Sequence, residues 1–398
     1  MWTGNEQELA VTRESRFTAL ELGPSPVLGP GVRLDLTPDV TVLVGRNGAG
    51  KSALLERIFA GLHHTAGNIV APTDLARLVC EAQVHKHLMR YECTWTARTP
   101  SAPSPDRPAI PIVEERCTSL TPSPETLWQV TDGKLAHASG ASIEIPAGMT
   151  VLQWMSTRAG MLVPSAAVPL LNLFTSVARV MPAALRDERR ELIVPEGSAS
   201  MMRWLQSPEA AARRELGLLL YQLGVWHTEH PALLAELAAL GQRTGLCREI
   251  RVKTYRDPDR STRAPNDLLS AEVDGVDLGL LSDGTVRALQ ILRALIEPEF
   301  KLVLIDEPES AVHPGLLAKL LHEITAYSKD RQIVLSTHSP QVVSWARPDA
   351  IRLVTRTNGV TRVQSLGDDM IKKLAKYLHD EDTLGQFVYG GGLDGLEE

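Results

Sequence analysis

Three stretches of this chain hold residues whose types and spacing suit work on a phosphate. Val42 to Ser52 reads VLVGRNGAGKS: an apolar run, a glycine-rich turn, then a lysine and a serine opening a helix. Gly45, Arg46, Asn47, Gly48, Ala49 and Gly50 give a backbone that can curl until successive N–H groups face one anion. Lys51 brings an ammonium to the outer phosphates, and the helix start adds the positive end of its dipole. Ser52 offers a hydroxyl to a magnesium ion. Every fixed position of G-x-x-x-x-G-K-[ST] is filled, which implies a bound nucleoside triphosphate.

The second stretch is KLVLIDEPE, Lys301 to Glu309. Its aliphatic lead-in reads as a strand buried on both faces, delivering Asp306 and Glu307 at its end. Asp306 is the expected metal carboxylate opposite Ser52, and Glu307 the one that polarises attacking water. The third is STHS, Ser336 to Ser339, after Ile333, Val334 and Leu335. It puts His338 at a strand end, within expected reach of the outermost phosphate. Two further segments accompany these. LSDGT, Leu281 to Thr285, places Ser282 and Gly284 at a helix start, where free N–H groups again suit an anion. SAVHP, Ser310 to Pro314, follows Glu307 as a turn suited to contact between copies of the chain.

These residues must be carried by alternating elements. Strands are expected at Phe17–Leu22, Val32–Leu36 and Thr41–Val44, then a helix after Lys51 with Leu54, Leu55, Ile58, Phe59 and Leu62 on its apolar face. Residues 75–89 read as helix, and Tyr91–Thr96, Pro111–Cys117, Thr126–Val130 and Ser142–Ile145 as strands. A proline-rich loop spans 99–111. From Pro164 to Gly245 the pattern turns helical, with leucine faces at 216–223 and 233–240. A polar loop covers 255–267, a strand Ala350–Thr355, and a helix lies near 369–378.

Composition sets bounds on all this. The chain has 398 residues, 43% hydrophobic and 22% charged, enough to bury a large core. A formal net charge of −7 excludes a global basic field for nucleic acid. Four dispersed cysteines, Cys80, Cys93, Cys117 and Cys247, suggest reduced buried thiols rather than zinc. No secretory signal is read at the N-terminus. The uncharged run near 159–178 carries Pro164, Pro169 and Asn172, so it reads as a buried helix and not a membrane span. A cytoplasmic protein is expected.

Taken together the motifs resemble the ABC-type ATPase heads of the SMC, RecF and RecN class, and most closely the prokaryotic ATPases related to overcoming-lysogenisation-defect (OLD) proteins. GRNGAGKS resembles their Walker A, LSDGT their signature, LVLIDEPESAVHP their Walker B with D-loop, and STHS their switch histidine. The resemblance covers 16–62 and 270–366. It implies an α/β P-loop NTPase, an ABC/SMC-like head with a strand-rich subdomain and a helical insertion. Residues 1–163 and 249–398 would form the head and 164–248 the insertion. It implies a homodimer or higher homo-oligomer in which Ser282 and Gly284 touch the nucleotide of the other subunit. Asp283 and Thr285 stand where that family has glycine and glutamine. Gln83 and Gln153 are the candidates for its glutamine loop. The C-terminal 60 residues leave no room for the Toprim domain of OLD nucleases. The expected activity is Mg-dependent ATP hydrolysis that switches a separately encoded effector, a nuclease among the candidates, in antiphage defence. Two alternatives stay open: a RecF-like repair ATPase on duplex DNA, and a nucleotide-locked structural partner with little turnover.

Overall fold

The aliphatic runs leading to the glycine turn and to the Asp306–Glu307 pair form two strands of one sheet, with the strand that leads to His338 between them. The computed structural model describes residues 15–67, 75–96, 112–137, 142–146, 148–157, 164, 166–182, 191–207, 213–256 and 267–366. Expectations for 99–111, for the middle of the 255–267 loop and for 369–378 lie outside these residues. Backbone packing divides the chain into two units. The first comprises residues 1–179, 299–306 and 328–398, the second 180–298 and 307–327.

In the first unit a six-stranded sheet runs in the order β10 (Val177–Val180), β15 (Leu302–Asp306), β16 (Gln332–Thr337), β3 (Val40–Val44), β17 (Ile351–Thr357), β18 (Val360–Ser365). β15, β16, β3 and β17 are parallel. Every residue of β15 and β16 is buried, as continuous apolar runs require when both faces are covered. Helix α1 (Lys51–Thr65) buries Leu54, Leu55, Ile58 and Leu62 and packs on β15 and β16.

An antiparallel sheet lies in the same unit: β2 (Val32–Asp35), β1 (Arg16–Leu22), β4 (Arg77–Val84), β5 (His87–Thr96), β6 (Ile112–Ser119), β7 (Glu125–Thr131), β8 (Lys134–His137) and β9 (Ser142–Glu144). Here the helix expected over 75–89 is replaced by the β4–β5 hairpin, turning at His85 with φ 53°. Leu78, Cys80, Ala82 and Val84 are buried at a period of two, and that alternation outweighs the helix propensity of Leu, Glu, Ala and Gln. β8 was not anticipated either, although Asp132–Gly133, with φ 51° and 73°, makes the two-residue turn its hairpin needs. All four cysteines are free and buried, as expected.

Helices α2 (Val151–Thr157) and α3 (Ala167–Thr175) belong to this unit and touch α1. Thr150 Oγ1 donates to Thr65 O at 2.7 Å and Gln153 Nε2 to His64 O at 2.7 Å. Those bonds satisfy carbonyls at the C-terminal end of α1. Gln153 is thus at the opposite end of the helix from Lys51, and Gln83 bonds its own turn at His85 O. Neither takes the place of a glutamine loop.

The start of α2 rests on a buried acid. Glu115, 2% exposed, accepts from Trp128 Nε1 at 3.1 Å and from Val151 N at 2.6 Å. The second unit holds β11 (Val194–Pro195), β12 (Ile250–Arg256), β13 (Asp267–Val273) and β14 (Val276–Asp277), so the helical reading of 164–245 is interrupted by β10 and β11. Its helices are α4 (Ser198–Leu205), α5 (Arg214–Thr228), α6 (Pro231–Thr244), α7 (Asp283–Ile296) and α8 (Pro314–Tyr327). Arg243 on α6 bridges Glu323 on α8 at 3.0 Å. Helix α9 (Pro340–Trp345) follows β16 in the first unit.

Burial raises the Glu115 carboxyl from its ordinary 4.5 to about 7. Between those values the folded chain keeps a proton that the unfolded chain has released, so this group costs stability as pH climbs. The difference corresponds to about 3 kcal/mol. Chemical denaturation of the natural chain and of Glu115→Gln across pH 4.5 to 8 should show the natural chain losing about that much relative to the variant by pH 7.5, then running parallel. Curves parallel over the whole range would contradict it.

Candidate nucleotide site

Strand order puts β16 between β3 and β15, and the parallel register pairs Asp306 with Ser336 and Thr337 with Val44. The three strands therefore end level, at the carboxyl edge of a parallel sheet where such folds bind ligands. Val44 runs into Gly45. A Cβ on Gly45 would stand 2.1 Å from Val354 O, so only glycine lets the chain turn there. Gly48 and Gly50 take φ of 82° and 100°, which side-chain-bearing residues rarely adopt. Arg46, Asn47 and Gly48 are exposed and Ala49 is buried. Gly50 is the N-cap of α1, and no side chain caps the helix.

Lys51 is only 4% exposed, and its Nζ donates to Gly45 O at 2.7 Å and Arg46 O at 3.1 Å. The ammonium thus lies folded onto the loop. Ser52 Oγ donates to Asp306 Oδ1 at 3.0 Å, joining residues 254 apart in sequence. Ser336 Oγ donates to the same Asp306 oxygen. Asp306 is 3% exposed, a carboxylate taken out of water and held by two hydroxyls.

Ser336 is the residue that sequence reasoning passed over. Its signal was available in register: counting back from Asp306 and from His338 along two parallel buried runs places Ser336 beside Asp306. Next to it, Thr337 Oγ1 accepts from Ser339 N at 2.9 Å and shapes the turn that carries the exposed His338. Lys51, Ser52, Asp306 and His338 all belong to the first unit.

Glu307 begins the second unit and adopts φ 49°, as does Ala311 at 61°. Left-handed backbone at non-glycine residues costs about 1 kcal/mol or more, and two such residues within five mark a turn held by its own bonds. Ser310 N donates to Glu307 O at 3.0 Å and Val312 N to Glu309 O at 3.1 Å. In the same unit Ser282 is the N-cap of α7: its Oγ accepts from Thr285 N at 3.2 Å and lies 2.7 Å from Thr285 Oγ1. Asp283 sits in the first turn of that helix, where a negative charge meets the positive dipole end. The two departures from the family's signature thus have local structural reasons. Gly284 has one too, because a Cβ there would come within 2.1 Å of Ala311 O.

Comparison with known proteins agrees with the motifs. Residues 255–344 match the family described as "AAA domain, putative AbiEii toxin, Type IV TA system", a span containing the signature, Asp306–Glu307 and His338. Among curated proteins there is no sequence match. Similar solved structures include an SMC head bound to the C-winged helix domain of ScpA, at 15% identity over 89% of this chain and 98% of that one, TM-score 0.41. The SMC head domain from Thermotoga maritima is 14% identical over 88% and 99%, TM-score 0.39. An SMC head with an extended coiled coil, bound to the C-terminal domain of ScpA derived from Pyrococcus furiosus, is 12% identical over 92% and 100%, TM-score 0.42. At those scores the fold assignment rests on the strand order and phosphate loop above: an α/β P-loop NTPase whose motifs resemble ABC/SMC-like heads.

Removing one of the two hydroxyls on Asp306 should be felt without any ligand. Ser336→Ala is expected to lower unfolding free energy by about 1.5–3 kcal/mol, the range for a hydrogen bond to a charged group. Equilibrium denaturation in nucleotide-free buffer measures it, and an unchanged midpoint would show that the bond contributes nothing.

Proposed function

We propose that this chain is a Mg-dependent ATPase that dimerises around nucleotide and acts as a switch on a separately encoded effector in antiphage defence. The observation that carries the nucleotide reading is the bond between Ser52 and Asp306 beside a glycine loop already closed on Lys51. A hydroxyl and a carboxylate are hard oxygen donors and fit magnesium arriving with phosphate oxygens. Bound there, magnesium would neutralise charge on the outer phosphate oxygens.

The chain's own groups do the rest. Lys51 exchanges the carbonyls of Gly45 and Arg46 for phosphate oxygens. The amides of residues 46–52 cradle the anion, Glu307 orients the attacking water and takes its proton, and His338 contacts the outermost phosphate. Ser282 and Gly284 of a second copy close over that phosphate, so nucleotide state sets the association of two heads. The defence reading leans on the toxin–antitoxin wording of the matched family and on the OLD-like motif set. A cytoplasmic setting accompanies it, and no helix among the described residues is long and apolar enough to cross a membrane.

Lys51→Ala should weaken ATP binding at least about 100-fold, because it removes the ammonium proposed to take the phosphate oxygens. Glu307→Gln should bind ATP within about threefold of the natural chain while turnover falls about 100-fold or more. Chelating Mg2+ should abolish turnover. With Mg·ATP the Glu307→Gln chain should migrate as a dimer and retain its effector on purification. A natural chain that neither binds nor hydrolyses ATP would end the proposal, and hydrolysis stimulated by duplex DNA with a steep salt dependence would replace the effector with DNA.

A further inference from the structure

The hairpin β17–β18 lies outside every motif, yet it backs the phosphate loop. β17 pairs with β3 as far as Leu353 and Val44, then runs on beside the loop. Its Val354 carbonyl fills the space a side chain at Gly45 would need. Asn358 and Gly359, with φ 52° and 81°, turn the chain tightly into β18, whose Val360 closes against Gly29. Thr361 follows. It is 1% exposed, and its Oγ1 donates toward Ala49 O at 3.1 Å, with Val27 O at 3.2 Å also in range. A Cβ on Gly50 would lie 2.3 Å from the same oxygen.

The carbonyl of Ala49 and the N–H of Gly50 belong to one peptide plane. In a trans peptide they point in opposite directions, so a bond that fixes one aims the other. Resting on the nucleotide reading given above, we infer that Thr361 is a positioning residue for nucleotide binding: by holding Ala49 O at the rear of the loop it turns the Gly50 N–H toward the phosphate. Gly50 sits at φ 100°, where glycine has no side chain to hold the peptide, so the orientation depends on an outside partner. The hydroxyl has a single hydrogen and two carbonyls within range. Directed to Ala49 it sets the amide for the anion; directed to Val27, in the segment joining β1 and β2, it lets the plane rotate.

Thr361→Val keeps the shape and removes the hydrogen, and Thr361→Ser keeps the hydrogen. Calorimetric titration with Mg·ATP and Mg·ADP should show Thr361→Val binding both about tenfold more weakly, one hydrogen bond's worth, and Thr361→Ser within about threefold of the natural chain. Steady-state KM should rise in Thr361→Val while kcat stays within about threefold, because Glu307 and His338 are untouched; general damage to the fold would lower kcat as well. If Thr361→Val does not fold, the Thr361→Ala and Thr361→Ser pair carries the same comparison. Thr361→Val binding as tightly as the natural chain, or Thr361→Ser as weak as Thr361→Val, overturns the inference while leaving the ATPase reading intact. A natural chain that takes up no nucleotide removes both.

Discussion

One buried carboxylate governs the centre of this molecule. Asp306 ends a buried strand, and a carboxyl in that position needs hydrogen-bond donors in place. Ser336 reaches it from the neighbouring strand and Ser52 from the first turn of α1. The two donors come from chain segments that only the parallel order β15, β16, β3 can bring together. That carboxylate therefore ties strand order to loop position: moving β16 away would remove the Ser336 bond, and moving α1 away the Ser52 bond. In the native state two serine hydroxyls thus hold one and the same oxygen of this carboxylate.

Much of this was legible in the order of residues. Glycines in VLVGRNGAGKS, aliphatic lead-ins before Asp306 and STHS, and the serine opening LSDGT each state a local rule, and each local rule came out as the element it names. The strands at 17–22, 32–36 and 41–44 and the helix from Lys51 followed for the same reason. Residues 75–89 went the other way. They are rich in helix formers, but their sheet neighbours β1 and β5 impose a period of two that intrinsic preference could not show. β8 was hidden by its length of four residues, although its Asp-Gly turn was in plain view.

Residues that act through position rather than type were the hardest to read. Ser336 is an ordinary strand serine until register sets it beside Asp306, and Thr361 is an ordinary edge-strand threonine until the hairpin folds behind Ala49. Glutamine-loop candidates failed for the converse reason. Gln153 is the right residue type, but it serves the far end of α1. Conversely the odd letters of the signature, Asp283 and Thr285, look out of place beside a phosphate yet are well suited to starting a helix. Type alone weighs function and local structure equally, and only placement separates them.

The anchorage of α1 at its tail has a mechanical consequence. This helix is 15 residues long, about 22 Å of stiff rod. Its first turn follows directly on the glycine loop, while its last carbonyls are gripped by Thr150 and Gln153, in a turn that leans on Glu115 and Trp128. A force applied at the start of such a rod would be resisted by the bonds that hold its other end. The two ends of one stiff helix are thus tied to different parts of the same unit, the glycine loop at its start and the Thr150–Gln153 turn at its end.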